Sequence, residues 1–119
     1  MYFYRVLLKV THFKPKLLKL PYYAVIFTST QTEYTEGYAE TANHMEELAS
    51  KQSGFIGIDH ARSEMGITIS YWETLDDIAR WKAQKDHQVA QQKGISDWYQ
   101  NYTIRICKVE REYSFSKLS

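Results

Sequence analysis

Residues 69–99, ISYWETLDDIARWKAQKDHQVAQQKGISDWY, decide the fold of this chain. The stretch begins in an apolar strand pattern, continues through helical patterns and ends at a Trp-Tyr pair. All three tryptophans, Trp72, Trp81 and Trp98, lie in it together with His87. Large rings are costly to leave in water, and each typically buries roughly 150–250 Å². The aromatic side chains therefore concentrate where helices meet a sheet, as a core, a pocket or both.

Strand and helix patterns alternate on both sides of this stretch. Residues 22–30, YYAVIFTST, are β-branched and aromatic, which is typical of a strand. A helical pattern follows from about residue 32 or 33 to 52. Residues 55–62 and 67–72 predict a hairpin, and residues 102–113 predict the last strand.

Two caps are predicted for the helices of the central stretch. Thr74 precedes one helical pattern and has Asp77 at the third position, a variant of the capping box. Asp86 is predicted to cap a second, short helix that ends near Gly94.

The predicted order βαββαβ is that of the α+β ferredoxin-like arrangement. Right-handed crossovers place both long helices on one face of a four-stranded antiparallel sheet. The opposite face also has apolar or aromatic residues on every strand, and such patches usually mark an interface. We therefore expect a homodimer in which the two sheets pack face to face.

Composition excludes several classes of protein. The chain has 119 residues, of which 44% are hydrophobic and 24% charged, as in a soluble single domain. No apolar run approaches the roughly 18 residues that span a bilayer, so no membrane association is expected. The net charge of +1 argues against nucleic acid as a partner. The single cysteine, Cys107, permits no internal disulfide and suits the cytoplasm.

The first 20 residues differ from the rest of the chain. They contain five basic residues and no acidic ones, which leaves the remainder net acidic. We expect residues 1–20 to form a mobile or weakly strand-forming basic extension, residues 21–115 to form the domain, and residues 116–119 to form a tail.

Several of these segments resemble a known family, the antibiotic biosynthesis monooxygenase (ABM) domain. They are ISYWETLDDIARWKAQKDHQVAQQKG, then WYQNYTIRICKVEREY, with PYYAVIFTS and GFIGIDHAR before them. The resemblance covers residues 21–115 and is strongest to uncharacterised bacterial members. It implies a ferredoxin-like dimeric α/β barrel with a pocket in each subunit between the sheet and its helices. It also implies one of several activities: cofactor-free oxidation of phenols by O₂, haem degradation, or none established.

Haem chemistry fits these residues poorly. Haem-degrading members use an Asn in the first strand, a Trp in the second long helix and a His further along as axial ligand. Trp81 matches the Trp, but YYAVIFTST has no Asn, and Gln91 occupies the place where the ligand would align. We therefore expect no haem and no other cofactor.

Cofactor-free oxygenation is the most concrete and testable of the functions that these residues allow. His87 is the candidate catalytic base, because its reference pKa near 6.5 suits a phenol at neutral pH. Trp81, Trp72 and Tyr71 are the candidate substrate-binding residues that wall the pocket for a small aromatic or apolar ligand. The competing interpretations are that His87 lies near a helix start and bonds solvent or Asp86, and that the tryptophans only pack the core.

The alternative function is a non-catalytic dimeric module that binds a small ligand or serves a stress response. A metal site is not expected, because Asp59 and His60 point to opposite faces of one strand and His44 is remote in sequence.

Overall fold

The structure is a computed structural model that describes residues 7–11 and 19–117. Its strands are β1 (Leu7–Thr11), β2 (Tyr22–Gln31), β3 (Phe55–Arg62), β4 (Gly66–Trp72) and β5 (Tyr99–Val109). Its helices are α1 (Tyr38–Ser50), α2 (Leu75–Ala83) and α3 (Lys85–Lys93), and one π-helical turn, Gly94–Trp98, joins α3 to β5.

The strands form one antiparallel sheet in the order β1-β3-β4-β2-β5. Without β1, this is the predicted four-stranded ferredoxin-like sheet, in which each helical connection joins strands separated by one other strand. The prediction of the fold is confirmed. β1 adds to it an edge strand that lies within the basic extension and pairs with β3 from Leu7 opposite Arg62 to Thr11 opposite Ile58.

The start of α2 is fixed by a reciprocal cap. The Thr74 hydroxyl accepts the Asp77 backbone N–H at 3.0 Å and donates to the Asp77 carboxylate at 2.7 Å. Burial by itself would raise the pKa of Asp77, but hydrogen bonds from Thr74 and Arg80 outweigh it, so the pKa lies below its usual range. Gly54 lies against this carboxylate with φ +80°, and a Cβ there would be 1.9 Å from an Asp77 oxygen. The predicted Thr74 cap therefore also joins α2 to the beginning of β3.

Two predicted helix starts are wrong. α1 begins at Tyr38 and not near residue 32, because Gly37 has φ +81° and the Thr32 hydroxyl instead bonds the Tyr34 N–H in a turn. α3 is capped by Gln84 and not by Asp86, because the Gln84 side chain accepts the His87 backbone N–H at 2.8 Å. The helix therefore starts one residue before the predicted cap.

The helices pack on one face of the sheet, which we call the helix face. Its core consists of Ala49, Phe55, Ile58, Trp72 and Ile78, with Tyr23, Val25 and Trp81 packed against them. Because paired residues of neighbouring strands share a face, the register places Tyr102, Ile104 and Ile106 of β5 on this face too. The same register places Ala24 with Tyr71 and Ile26 with Ile69 on the opposite face. We call that second surface the open face.

We expect the protein to be a homodimer in solution, because packing two open faces together removes apolar side chains such as Ile26 and Ile69 from water. Ile69→Asp should produce a monomer in sedimentation experiments. Ile106→Asp is the matched control, since Ile106 is 53% exposed on the helix face, and it should leave the dimer intact. A wild-type protein that sediments only as a monomer at micromolar concentration would refute the expectation.

We expect a chain that begins at residue 21 to fold, because β1 pairs only with the outer edge of β3 and the β3-β4-β2-β5 sheet remains. Its circular dichroism should keep the signature of the helices, with a melting temperature near that of the full chain. A large fall in melting temperature would instead show that β1 is an integral strand of the domain.

Candidate functional site

A stack of three rings runs from the sheet into the helical layer. Trp72, the last residue of β4, lies 6.0 Å from Trp81 of α2, with the ring planes 28° apart. His87 of α3 stacks on the outer side of Trp81 at 4.3 Å and 13°. Phe55 meets Trp72 edge to face at 5.4 Å. The structure thus brings together three of the four residues predicted for the site.

The junction between α2 and α3 is what folds His87 back over Trp81. Gln84 has an extended backbone, φ −64° and ψ 132°, which ends α2. Its N–H donates to the Trp81 carbonyl at 3.1 Å, while its side chain caps α3 through the His87 N–H. This tight turn stacks the rings of Trp81 and His87, which are six positions apart in the chain.

The hydrogen bond of His87 determines its tautomer. Nδ1 lies 3.0 Å from the Trp81 carbonyl oxygen, which has no hydrogen to donate, so Nδ1 must carry the proton. Neutral His87 therefore presents Nε2 as its acceptor. Burial lowers the pKa of His87 below 6.5, although the bond to the Trp81 carbonyl acts in the opposite direction. The ring is consequently neutral at pH 7 and able to accept a proton.

Trp72 is a core residue and not a wall of the site. Its side chain is 0% exposed and its indole N–H donates to Ser70 Oγ at 2.9 Å. Because protein atoms surround the whole ring, a ligand in this structure has no access to it. Trp81 and His87 are half-buried, so they are the members of the stack that a ligand can contact.

Tyr71 lies on the open face, away from the other three candidates. Its hydroxyl donates to Asp59 Oδ2 at 2.9 Å, and its ring meets Tyr22 edge to face at 6.1 Å. Burial, followed by the bond to Asp59, raises the pKa of Tyr71. Neighbouring residues of a strand point to opposite faces, so Tyr71 and Trp72 do not wall one pocket, and the prediction for Tyr71 is corrected.

A second aromatic cluster occupies the opposite end of the helix face. Tyr38 meets Trp98 and Tyr99 edge to face at 5.4 and 5.9 Å. Phe27 stacks on Tyr102 at 5.2 Å and meets Tyr99 at 5.3 Å. Trp98 is 3% exposed and donates its indole N–H to the Glu36 carbonyl at 2.9 Å, so it packs the join to β5.

Arg62 belongs to this second cluster and was missed in the sequence. Its guanidinium carbon lies 5.7 Å from the centre of the Tyr38 ring, and Nη2 donates to Ser29 Oγ at 2.7 Å. The hairpin in HARSEMG places Gly66 opposite Arg62. A long cationic side chain opposite a glycine is the feature of the sequence that could have indicated that Arg62 lies across the neighbouring strand.

His60 lies between the two ends of the helix face, in register with Thr68. Its Nε2 is buried and has no hydrogen-bond partner among the residues that the structure describes. An unpaired buried nitrogen is costly, which makes His60 a second histidine to compare with His87.

Residues 7–11 and 19–117 contain neither a cluster of metal ligands nor a helix suited to a membrane. No three His, Cys, Asp or Glu side chains there come close enough together to hold a metal ion. In the same residues, no helix has the length and apolar character that crossing a membrane requires.

This chain is similar in sequence to a known protein family and to a protein of Bacillus subtilis. Residues 21–93 match the family model described as antibiotic biosynthesis monooxygenase. The uncharacterized protein YqjZ of Bacillus subtilis (strain 168) is 44% identical over 107 residues, which cover 88% of this chain and 94% of that protein.

Solved structures extend the likeness at the level of the fold. A conserved protein from Methanosarcina mazei Go1 superposes with a TM-score of 0.68 at 10% identity, covering 77% of this chain and 95% of that one. A candidate antibiotic biosynthesis monooxygenase from Nitrosomonas europaea gives a TM-score of 0.63 at 16% identity, covering 77% and 92%.

We expect acid to destabilise the protein through His87. Its folded-state pKa is below 6.5, so the unfolded chain takes up this proton first, and the stability present above pH 6.5 is lost as the pH falls. Urea unfolding at pH 7.5 and at pH 5.5 should show a smaller loss for His87→Gln than for wild type. Gln88→Ala is the control because Gln88 is exposed on the same helix and carries no titratable group, and it should keep the wild-type slope. Equal slopes for wild type and His87→Gln would show that the folded protein does not keep His87 neutral.

Proposed function

This chain belongs to the antibiotic biosynthesis monooxygenase family, and on that premise we propose that it is a cofactor-independent monooxygenase for a small phenolic or enolic aromatic metabolite. His87 is the proposed base and Trp81 the proposed binding surface. The family assignment supports the class of reaction, and the geometry around His87 supports the choice of base.

The observation that carries the proposal is the tautomer of His87. Donation from Nδ1 to the Trp81 carbonyl at 3.0 Å leaves Nε2 as the acceptor, and burial keeps the ring neutral. A general base needs a free lone pair, a fixed orientation and a pKa near or below the working pH. The Gln84 turn and the stacking on Trp81 provide the fixed orientation.

The proposed reaction requires only the substrate and O₂. His87 Nε2 accepts the phenolic or enolic proton, and the resulting anion gives one electron to O₂. The two radicals combine to form a carbon–oxygen bond, and the peroxide anion takes the proton back from His87. The hydroperoxide, whose carbon still carries a hydrogen, then loses water to leave a carbonyl. One oxygen atom enters the product and the other leaves as water. The protein contributes orientation and electrostatics, because the electrons come from the substrate.

Trp81 offers the substrate an indole that is anchored on one side by buried Trp72. His87 covers the other side, so the substrate meets the exposed edge of a rigidly held indole, which gives an apolar contact without further ordering. We further propose that the protein acts as a homodimer in the cytoplasm.

A non-catalytic ligand-binding module is the second candidate. The observation that favours it is that Tyr102, Ile104 and Ile106 are 38–53% exposed on the helix face, an apolar surface that a bound ligand covers without any reaction. The two functions differ in whether oxygen is consumed once the ligand is bound.

We expect the protein to oxidise anthrone, whose enol is electron-rich, to anthraquinone with uptake of one O₂. The rate above spontaneous oxidation should rise with pH and level off below neutrality, because the pKa of His87 lies below 6.5 and only the neutral ring accepts a proton. His87→Gln should lower kcat by roughly 10²–10⁴-fold. An oxygen electrode and ¹⁸O incorporation from ¹⁸O₂ measure the reaction.

Two further histidine variants make this test specific. His44→Gln removes an exposed histidine of α1 and should keep the wild-type rate. His60→Gln removes the histidine with the unpaired Nε2, so a large loss in this variant together with an active His87→Gln would move the base to His60. If the wild-type protein binds anthrone tightly but takes up no oxygen, the protein is a ligand-binding module and not a monooxygenase.

A further inference from the structure

One row of paired residues crosses the sheet at the end opposite His87. Arg62 of β3 pairs with Gly66 of β4, Gly66 pairs with Ser29 of β2, and Ser29 pairs with Tyr102 of β5. Neighbouring strands lie about 4.8 Å apart, so Arg62 and Ser29 start about 10 Å from each other. The Arg62 side chain nevertheless bonds Ser29 Oγ at 2.7 Å. It therefore extends across β4.

Gly66 makes this crossing possible. A Cβ at that position would lie 2.0 Å from Arg62 Nη2 and 2.1 Å from Cζ, well inside contact distance. The missing side chain leaves a channel across the sheet, and Arg62 occupies it. Ser29, 2% exposed, anchors the far end of the side chain.

The charge of Arg62 has no counter-ion in the described part of the chain. Its contacts there are the hydroxyl of Ser29 and the face of the Tyr38 ring, and no carboxylate comes within ion-pair distance. A guanidinium carries five N–H donors, and Ser29 accepts from one of its nitrogens. A half-buried cation with unused donors in a planar fork matches the two oxygens of a carboxylate.

The surroundings of the guanidinium are aromatic and partly open to solvent. Tyr38, Tyr99, Phe27 and Tyr102 form a continuous set of ring contacts between 5.2 and 5.9 Å. Tyr102 is 38% exposed, and neighbouring Ile104 is 40% exposed. An apolar surface beside an unpaired cation fits a ligand that is aromatic at one end and anionic at the other.

We propose that Arg62 and the rings of Tyr38, Tyr99 and Tyr102 form a binding site for a small aromatic carboxylate. The carboxylate takes the unused N–H donors of Arg62, and the aromatic body covers exposed Tyr102 and Ile104. This site is separate from the Trp81–His87 pair, because Gly66 and Trp72 lie at opposite ends of β4, roughly 20 Å apart. It does not depend on oxygenation.

Two probes of equal shape test the site on the full-length protein at pH 7. The first, 2-naphthoate, carries a carboxylate, and the second, 2-naphthamide, is its neutral counterpart. Calorimetry should give naphthoate at least tenfold tighter binding than naphthamide, as a charge-assisted hydrogen bond requires. In ¹H–¹⁵N spectra, naphthoate should shift the indole N–H signal of Trp98, which packs against Tyr38, and leave that of Trp81 in place.

Variants of Arg62 test whether its guanidinium causes the difference in affinity between the two probes. Arg62→Gln should weaken naphthoate binding at least tenfold and leave naphthamide binding unchanged, while Arg62→Lys should recover part of the loss. Arg111→Gln is the matched control, since Arg111 is exposed beyond the end of β5, and it should bind naphthoate like wild type.

Three results would overturn the site. They are equal affinity of the wild-type protein for the two probes, no naphthoate binding at millimolar concentration, and a naphthoate-induced shift of Trp81 in place of Trp98. The probe comparison needs no variant, so it decides the question even if Arg62→Gln does not fold. If the wild-type protein binds naphthoate as expected but does not oxidise anthrone, the proposed enzyme function is contradicted and the proposed Arg62 site is still supported.

Discussion

The burial of Trp72 is the constraint on which most of the described structure depends. Its ring is 0% exposed at the end of β4, where it contacts Phe55 of β3 and Trp81 of α2. Removing so large a ring from a core costs roughly 3–5 kcal/mol. The Thr74 cap follows two residues later and holds α2 in the direction that brings Trp81 onto Trp72. The position of His87 is then determined by the short Gln84 turn, so the candidate base is placed by the hydrophobic core.

The helix face is therefore divided into two ends of different electrostatic character. At the Trp72 end, burial keeps His87 neutral, and its ring depends on Trp81 for both stacking and hydrogen bonding. At the other end, the Arg62 guanidinium lies over the Tyr38 ring. Tyr99 stays protonated there, because burial and its hydroxyl contact with Tyr38 raise its pKa, although the charge of Arg62 acts in the opposite direction. One end is suited to accepting a proton and the other to holding an anion.

Local sequence patterns were sufficient for the strands, the hairpin and the Thr74 cap, because each depends on residues close together in the chain. They failed where two nearby residues could cap the same helix, because the pattern does not say which one does. Gln84 and not Asp86 caps α3. For the site, alternation along β4 already separated Tyr71 from Trp72, yet both were assigned to one pocket. The contacts of Arg62 with Ser29 and of Trp98 with Glu36 span 33 and 62 residues, and no local pattern reports such pairs.

The channel above Gly66 makes two positions depend on each other. A side chain at Gly66 takes the space that the Arg62 guanidinium occupies, so the flexible arginine turns away and Ser29 loses its buried partner. Substitutions at Gly66 and Arg62 are therefore expected to be non-additive, because a side chain at Gly66 displaces nothing once Arg62 has been shortened.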